Sequence, residues 1–483
     1  MTTIIIGLLA TSCARPARVV IGSKKFTESV LLGELLRLEL GRAGVAAEHR
    51  RELGGSRVLF EALLRGDIDV YPEYSGTLRT ELVPGARSDD EVAARLAERG
   101  LLVGGLVGFS DTYALAMSRA RATALGVTKI SDLAAHPELR YGFSDEFMRR
   151  KDGWPTLQAR YGLGGRNARG MDHDLAYRGL AAGALDVVDL YSTDAEAHDD
   201  QLLVLVDDRH QFPDYRALWL SRADLLQRVP AARDALTALT GRVDEAAMAT
   251  MNARAKRDHV PETQIAAQYL AVDNGAPRDT LVRRLLARTR EHLTLAMLSL
   301  LAAIAVALPL GILAARRPRL GGYILALVGI VQTIPSLALL VVMIPLLGIG
   351  VLPALAALFL YGLLPIVRNT YVGLRDLPPG LLESADALGL SSWQRLRLVE
   401  LPMASRAILG GVKTAAVINV GAATLGALVG AGGYGQPILS GIRLASTPLI
   451  LEGAIPAALL ALAVEGAFDL AEYVLVPRGL RLD

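Results

Sequence analysis

Four tyrosines lie where predicted strands meet loops. Tyr74 follows the run "IDVYPE", and Tyr113 begins the strand-like run "TYALAMS". Tyr191 ends the run "LDVVDLY", and Tyr215 lies after a proline in "QFPDYRAL". Strand ends form the edge of an α/β sheet that binds ligands, and an aromatic face carries a negative quadrupole that attracts a cation. We therefore expect these four side chains to line a ligand site, whereas Tyr71 is predicted to pack in the protein core.

A second group of residues has the chemistry of an anion site. The segment "IGSKKFTES" follows a predicted strand and leads into a helix. Ser23, Lys24 and the free amides at the start of that helix can therefore face an anion. Lys25, next to them, is expected to be a solvated surface charge.

The elements that position these residues indicate an α/β architecture. Residues 17–275 alternate short β-like runs with Ala- and Leu-rich helical stretches. The length of this segment favours two lobes over a single sheet. The net charge of the 483-residue chain is only +2, which disfavours a nucleic-acid partner. The single cysteine excludes an internal disulfide framework and a cysteine-based metal cluster.

That cysteine, Cys13, follows the apolar run "TIIIGLLATS". The pattern is typical of a secretory signal, and the small residues before Cys13 resemble a bacterial lipoprotein cleavage site. Residues 1–15 are predicted to be a signal or lipoprotein-like segment. An uncleaved membrane anchor is the alternative, and both place residues 16–292 outside the cytoplasm.

The C-terminal part of the chain is predicted to cross the membrane five times. Residues 293–315 lack charge and suffice for one helix, and residues 321–367 suffice for two, divided by the Gly/Pro-bearing segment 346–353. A fourth span begins near Ala407, and a fifth covers 447–476. Residues 276–292 are interpreted as a charged helical linker.

The distribution of Lys and Arg predicts the orientation of these spans. Within residues 293–483, most of the Lys and Arg lie in "RRPR" at 316–319, the segment 368–413 and the tail "PRGLRLD". By the positive-inside rule these segments are cytoplasmic. Three acids of the last span, Glu465, Asp469 and Glu472, share one helix face, and they are expected to lie near its cytoplasmic end.

The segment "ESADALGLSSWQRLRLVELP" (383–402) resembles the signature of permease subunits of bacterial ABC importers. The spacing suits two helices joined at a glycine, the second ending before Pro402. The resemblance implies a cytoplasmic coupling loop, 375–405, that docks on an ATPase. The residues that match the signature are Glu383, Ala385, Gly389, Leu401 and Pro402.

The chain contains no G-x-x-x-x-G-K-[ST] motif, so it is not expected to hydrolyse ATP or to bind a cofactor itself. The expected partners are two copies of an ABC ATPase and a second copy of this chain, since five spans suit a dimeric permease. The protein is accordingly predicted to be a transport subunit in the bacterial inner membrane and not an enzyme.

Residues 17–275 resemble extracytoplasmic binding proteins for glycine betaine, choline and related quaternary amines. The resemblance implies two lobes, residues 17–107 with 213–275 and residues 108–212, that close over the ligand. It implies an aromatic cage for a trimethylammonium head and a carboxylate clamp. The cage comprises Tyr74, Tyr113, Tyr191 and Tyr215, with an oxygen from Asp111; the clamp comprises Ser23, Lys24, Thr77 and Arg150.

The expected fold is thus a two-lobed, periplasmic-binding-protein-like (type II) α/β domain followed by an all-α, five-helix ABC importer permease domain (293–483). The expected function is receptor and permease of an ATP-driven importer for a small betaine, because choline would leave the clamp without an anion. An ergothioneine importer remains the alternative ligand assignment. A membrane-bound sensor or osmotically gated channel is the alternative of another class.

Overall fold

The computed structural model describes residues 18–165, 167–272, 280–444 and 446–476, with backbone only at His198 and Leu475. The expectations for Cys13 and the signal-like segment lie outside these residues, as does the C-terminal tail. The chain divides into two compact units, Met1–Asn274 and Gly275–Asp483. Each unit is described by itself below.

The first unit contains two five-stranded mixed sheets. Its strands are β1 (Val19–Gly22), β2 (Ala47–Arg50), β3 (Val70–Tyr74), β4 (Leu101–Ser110), β5 (Tyr113–Ser118), β6 (Tyr141–Ser144), β7 (Ala168–Met171), β8 (Val187–Tyr191), β9 (Leu202–Val204) and β10 (Arg216–Arg222). The order is β2-β1-β3-β10-β4 in the first sheet and β7-β6-β8-β5-β9 in the second.

Each sheet is the centre of one lobe, so the predicted two-lobed α/β fold is confirmed. The chain passes from the first sheet to the second between β4 and β5, at residues 111–112, and returns between β9 and β10. Strand β10 runs antiparallel to both β3 and β4, which fixes the return segment beside the end of β3. Residues on these crossing segments therefore lie where the two lobes meet.

Helices cover both sheets. Those of the first unit are α1 (Thr27–Arg42), α2 (Ser56–Arg65), α3 (Ser75–Thr77), α4 (Asp89–Ala97), α5 (Arg119–Leu125), α6 (Asp145–Arg149), α7 (Trp154–Tyr161), α8 (His173–Ala181), α9 (Leu225–Arg228), α10 (Ala231–Ala238), α11 (Glu245–Lys256) and α12 (Glu262–Leu270). Side-chain oxygens of Ser88, Ser118, Ser144, Asp172 and Asp244 accept hydrogen bonds from the first turns of the helices that follow them. These caps explain where the helices begin.

The described part of the second unit is helical. Its helices are α13 (Leu281–Arg316), α14 (Pro318–Thr333), α15 (Ser336–Leu347), α16 (Val351–Arg375), α17 (Pro379–Ala387), α18 (Ser392–Arg395), α19 (Leu401–Ala422), α20 (Gly435–Arg443) and α21 (Thr447–Leu475). Helices α13, α14, α16 and α19 share a core of small and branched residues that includes Ala303, Ala307, Ile366 and Ala415. This core supports the predicted all-α membrane domain.

Within the described residues, four helical segments are long and apolar enough to cross a membrane: 281–316, 351–375, 392–429 and 447–474. Helices α14 and α15 reach this length only together, and they are bent by 98°. The expected second span is therefore broken, and the count is five only if this pair is one span. The break falls at Ile334–Pro335, where Ile334 is extended, since a residue before proline disfavours the helical conformation.

The predicted linker 276–292 is not a separate element where it is described. Residues 281–292 form the first turns of α13 and continue without interruption into the apolar part of that helix. The side chain of Thr280 caps α13 by accepting a hydrogen bond from the Arg283 amide. The predicted boundary between linker and first span, at residues 292–293, therefore lies inside one continuous helix.

Candidate functional site

Three of the predicted tyrosines form one aromatic cluster at the junction of the lobes. Tyr113 and Tyr191 are opposite each other in the ladder between β5 and β8, and their ring centroids are 5.0 Å apart. The Tyr215 ring meets the Tyr113 ring edge-on at 5.6 Å. Phe26 lies 5.5 Å from Tyr191 and 6.1 Å from Tyr74, so it connects the fourth tyrosine to the cluster.

These rings are held in place by the ends of the strands that carry them. Tyr74 ends β3, Tyr113 begins β5, Tyr191 ends β8 and Tyr215 precedes β10. Tyr74, Tyr113 and Tyr215 are each at most 4% exposed. Tyr71, three residues before Tyr74, is fully buried in the core, as its predicted packing role requires.

Arg150 lies against this cluster and contacts both lobes. Its guanidinium carbon is 5.5 Å from the centroid of the Tyr113 ring and 5.4 Å from that of Tyr215. It donates hydrogen bonds to Thr77 (3.3 Å) and to Thr80 (3.1 Å), which lie in the first lobe. Arg150 and Thr77 are thus brought together, as expected for a shared role.

Both predicted clamp cations already have carboxylate partners in the protein. Arg150 forms a two-point ion pair with Asp152, in which Nε and Nη2 each donate over 2.8 Å. Burial by itself would raise the pKa of Asp152, but hydrogen bonds and charge from Arg150 outweigh it and hold that pKa below its usual value. Lys24 donates to Glu73, and its ammonium lies 4.9 Å from the Tyr74 ring centroid.

Ser23 contacts neither Arg150 nor Thr77, and its hydrogen bonds lie elsewhere. Its hydroxyl oxygen lies 2.9 Å from Nε2 of His49 and accepts a hydrogen bond from the backbone amide of Glu52. Glu34 contacts the other ring nitrogen of His49. Ser23 therefore belongs to a buried polar network behind β1, and its expected contact with an anion has no support in this geometry.

Asp111 lies beside the cluster, within a buried acidic network. Its carboxylate is 2.7 Å from the Thr193 hydroxyl, which also hydrogen-bonds Glu28. The Tyr74 hydroxyl donates to the other oxygen of Glu28. Burial raises the pKa of Glu28 to about 7, against the effect of these hydrogen bonds. This side of the cluster is thus lined by acids and phenols.

The coupling-loop signature forms two short helices, α17 and α18, that meet at Gly389. Gly389 has a φ of +73°, a conformation that favours glycine and reverses the chain after α17. Arg395 ties the two arms together by donating to Asp386 (2.7 Å) and Glu400 (2.8 Å). Ala385 is buried, whereas Glu383 and Gly389 are exposed. The exposed residues leave a surface on which another protein can dock.

One expectation for this segment is wrong. The second helix does not end before Pro402, because the chain stays helical from 392 to 429. A wide turn at Leu396–Glu400 precedes α19, and Pro402 lies in the first turn of that helix. Pro402 has no amide hydrogen to donate to the carbonyl four residues earlier, and that carbonyl belongs to Leu398 in the wide turn. Leu401 and Pro402 therefore lie within a continuous helical segment, directly after this wide turn.

Comparison with known proteins decides the family. Residues 17–272, more than half of the chain, match the model described as the substrate-binding domain of ABC-type glycine betaine transport systems. The chain belongs to this family. Residues 307–479 match a second model, the inner membrane component of binding-protein-dependent transport systems. The protein is thus a substrate-binding domain of the glycine betaine transport family, fused to a multi-pass inner-membrane permease domain.

The permease part has similar relatives among osmoprotectant transport systems. The carnitine transport permease protein OpuCB of Listeria monocytogenes is 44% identical over 197 residues, which are 41% of this chain and 90% of that protein. The osmoprotectant import permease protein OsmW of Salmonella typhimurium is 44% identical over 198 residues, 40% of this chain and 92% of that protein.

The binding part aligns with a solved glycine betaine/carnitine/choline ABC transporter structure. The alignment has 26% identity and a TM-score of 0.45, and it covers 52% of this chain and 97% of that one. The two family matches and the permease relatives identify the protein as an osmoprotectant ABC importer permease. It carries its own substrate-binding domain.

Sequence reasoning missed several members of the site. Phe26 immediately precedes α1, a position from which an aromatic ring can face a cleft, and this could have been noted. Glu73 and Asp152 lie next to predicted residues and could have been recognised as competing anions. Thr193 and Asn252 had no signal, since their contacts with Glu28 span 165 and 224 residues of sequence.

The acids of the last span have cationic partners on α19. Lys413 contacts Glu465 and Asp469 at 3.7 and 2.5 Å, and Arg406 donates to Glu472 over 3.0 Å. These contacts join α19 to α21 and leave the acids about one-third to three-fifths exposed. They favour a structural role for the acids.

Proposed function

We propose that this chain is the receptor and permease subunit of an ATP-driven importer for quaternary ammonium compounds of the glycine betaine type. The observation that carries this is the tyrosine cluster at the lobe junction, with Tyr113 5.0 Å from Tyr191 and 5.6 Å from Tyr215. A quaternary ammonium has no N–H to donate, so it depends on aromatic faces, each contributing ~0.5–1 kcal/mol when exposed and ~2 kcal/mol or more when desolvated.

The carboxylate end of such a ligand is assigned to Lys24, Arg150 and Thr77. Glu73 occupies one of the three ammonium donors of Lys24, so the others are available to a ligand anion. Arg150 donates to Asp152, Thr77, Thr80 and Tyr215, and a ligand carboxylate would share or exchange some of these bonds. A zwitterion satisfies both ends of the site, which favours a small betaine over choline.

The driving force is assigned to a separate ATPase. The chain has no phosphate-binding loop of its own, and α17 and α18 present an exposed surface around Gly389. In this proposal two ATPase copies dock on the coupling loops of a permease dimer from the cytoplasm, while the binding domain lies outside. Ligand closes the two lobes, and ATP binding by the partner opens the path inward.

The proposal is tested by calorimetry on the full chain in lipid nanodiscs with glycine betaine, carnitine, choline and ergothioneine. We expect binding of at least one quaternary ammonium compound, and failure of all four would overturn the assignment. Uptake into vesicles is then compared with and without the partner ATPase. Uptake that persists without the ATPase would instead support a channel.

A further inference from the structure

Two carboxyl groups behind the tyrosine cluster are joined through one hydroxyl. Thr193 Oγ1 hydrogen-bonds Oε2 of Glu28 and lies 2.7 Å from Oδ1 of Asp111. Glu28, Asp111 and Thr193 are 2%, 5% and 1% exposed, so water does not compete at this point. The three oxygens therefore form a linear hydrogen-bonded chain that is shielded from solvent.

This chain of oxygens contains one proton more than the hydroxyl supplies. A hydroxyl has a single hydrogen and can donate to only one of its two carboxyl neighbours. The other neighbour must carry a proton and donate it to Oγ1, because two buried carboxylates facing one another across a hydroxyl oxygen would repel each other. The geometry thus assigns one shared proton to the pair Glu28 and Asp111.

The shared proton also connects the lobes. Glu28 lies on α1 in the first lobe, Thr193 follows β8 in the second, and Asp111 lies on the crossing segment between them. Asn252 on α11 adds hydrogen bonds to Oε2 of Glu28 (3.4 Å) and to the Thr193 carbonyl (2.8 Å). Separation of the lobes would break the Glu28–Thr193 contact and return Glu28 to water.

A third carboxylate, Asp194, lies near this pair, and its charge raises the pKa of both Glu28 and Asp111. Burial would raise the pKa of Asp194, but Lys256 of α11 and His173 of α8 outweigh it and keep Asp194 ionised. On the β3 side, Glu73 is neutralised by Lys24. Burial raises the pKa of Asp111 well above its ordinary value, as it does for Glu28.

We propose that Glu28 and Asp111 exchange their shared proton for the cationic head of the ligand. The inference rests on the proposed function, since it needs a cation among the rings. Tyr74 donates to Glu28, Tyr113 lies two residues after Asp111, and Tyr191 lies two residues before Thr193. A cation held by these rings lies beside the pair and stabilises its ionised form.

Ligand and proton are therefore antagonists on the closed receptor. Below the pKa of the pair, the proton stabilises an empty closed form that competes with ligand, so binding weakens as the pH falls. Where one proton is exchanged, affinity changes by up to about tenfold per pH unit. Above that pKa the pair is already ionised, and affinity becomes independent of pH.

Calorimetry on the full chain in nanodiscs, in buffers of different ionisation enthalpy, measures the proton exchanged. At about pH 6 we expect close to one proton released per glycine betaine bound. In Glu28→Gln the amide donates to Thr193 without titrating, so release should disappear and the pH profile should become flat. Glu61→Gln, at an exposed position of α2, is the matched control and should keep the release.

A ligand-free measurement separates this inference from the proposed function. Spin labels at Arg57→Cys and Thr156→Cys, one in each lobe of a Cys13→Ser chain, report the distance between the lobes. Without ligand, the short distance should become more populated from about pH 8 to pH 6, whereas Glu28→Gln should stay closed at both.

Three results would each overturn the inference: proton uptake on ligand binding, proton release that persists in Glu28→Gln, or an interlobe distance that does not change with pH in the absence of ligand. Should Glu28→Gln not fold, Asp111→Asn removes the same titration and carries the same expectation. If closure depends on pH but no quaternary ammonium compound binds, the proton pair stands and the assigned ligand class fails.

Discussion

Tyr113 and Tyr191 lie opposite each other on neighbouring antiparallel strands, with ring centroids 5.0 Å apart and hydroxyls 3.4 Å apart. Strand pairing fixes this relationship, because a slip by one residue would turn one ring to the other face of the sheet. Two walls of the proposed cage are therefore set by backbone register, before any ligand is present.

Removing either ring should weaken the binding of glycine betaine. For Tyr113→Ala and Tyr191→Ala we expect a loss of ~1–2 kcal/mol each, the cation–π contribution of one partly desolvated ring. Titration calorimetry on the full chain measures this. Tyr113→Phe keeps the ring and should bind nearly as the parent does, and unchanged affinity in both alanine variants would show that the cage is misplaced.

Carboxylate-bearing ligands should bind at least tenfold tighter than choline. The reason is the charge-assisted hydrogen bonding of Lys24 and Arg150, ~1.5–3 kcal/mol per bond. Lys24→Met alone would leave Glu73 buried without its partner. We therefore choose Lys24→Met with Glu73→Gln, which should reduce the preference for betaine over choline. A double variant that retains the full preference would contradict the role of Lys24.

The turn at Gly389 should be needed for coupling and not for binding. Its φ of +73° strains any residue with a Cβ, so Gly389→Ala is expected to cost about 1 kcal/mol locally and to distort the docking surface. For Gly389→Ala we predict that ligand stimulates ATP hydrolysis by the partner ATPase less than in the parent, while the affinity for ligand is unchanged. Gly380→Ala is the matched control, since neither glycine has a neighbour within 4 Å of an added Cβ and Gly380 has no positive φ. Equal effects of both would argue against this role.

Neutralising the acids of the last span should have little effect on transport. Asp469 is 59% exposed and pairs with Lys413, and such exposed pairs contribute roughly 0–1 kcal/mol. Asp469→Asn is therefore expected to retain uptake within about twofold of the parent. Loss of uptake with normal expression in the membrane would instead assign the carboxylate to the transport path.

The two lobes, and the position of the tyrosines at strand ends, were predictable from the sequence because each has a local signature. Strand-like runs, flanking prolines and glycines, and the spacing of 383–402 are all readable within about twenty residues. The Glu28–Thr193–Asn252 network was not predictable, since it depends on tertiary closure between distant segments. The break at Pro335 was readable, and it was missed because apolar composition dominated the interpretation of 321–367.

Helix α13 joins the described start of the second unit to its membrane core as one rod. From Leu281 to Pro309, the first residue within it that lacks an amide hydrogen, the rod extends for roughly 42 Å at 1.5 Å per residue. Arg284 and Thr289 anchor its N-terminal turns to Glu452 and Tyr434. A displacement of those N-terminal turns is therefore carried into the helical bundle with little bending, and the helix bends most easily at Pro309.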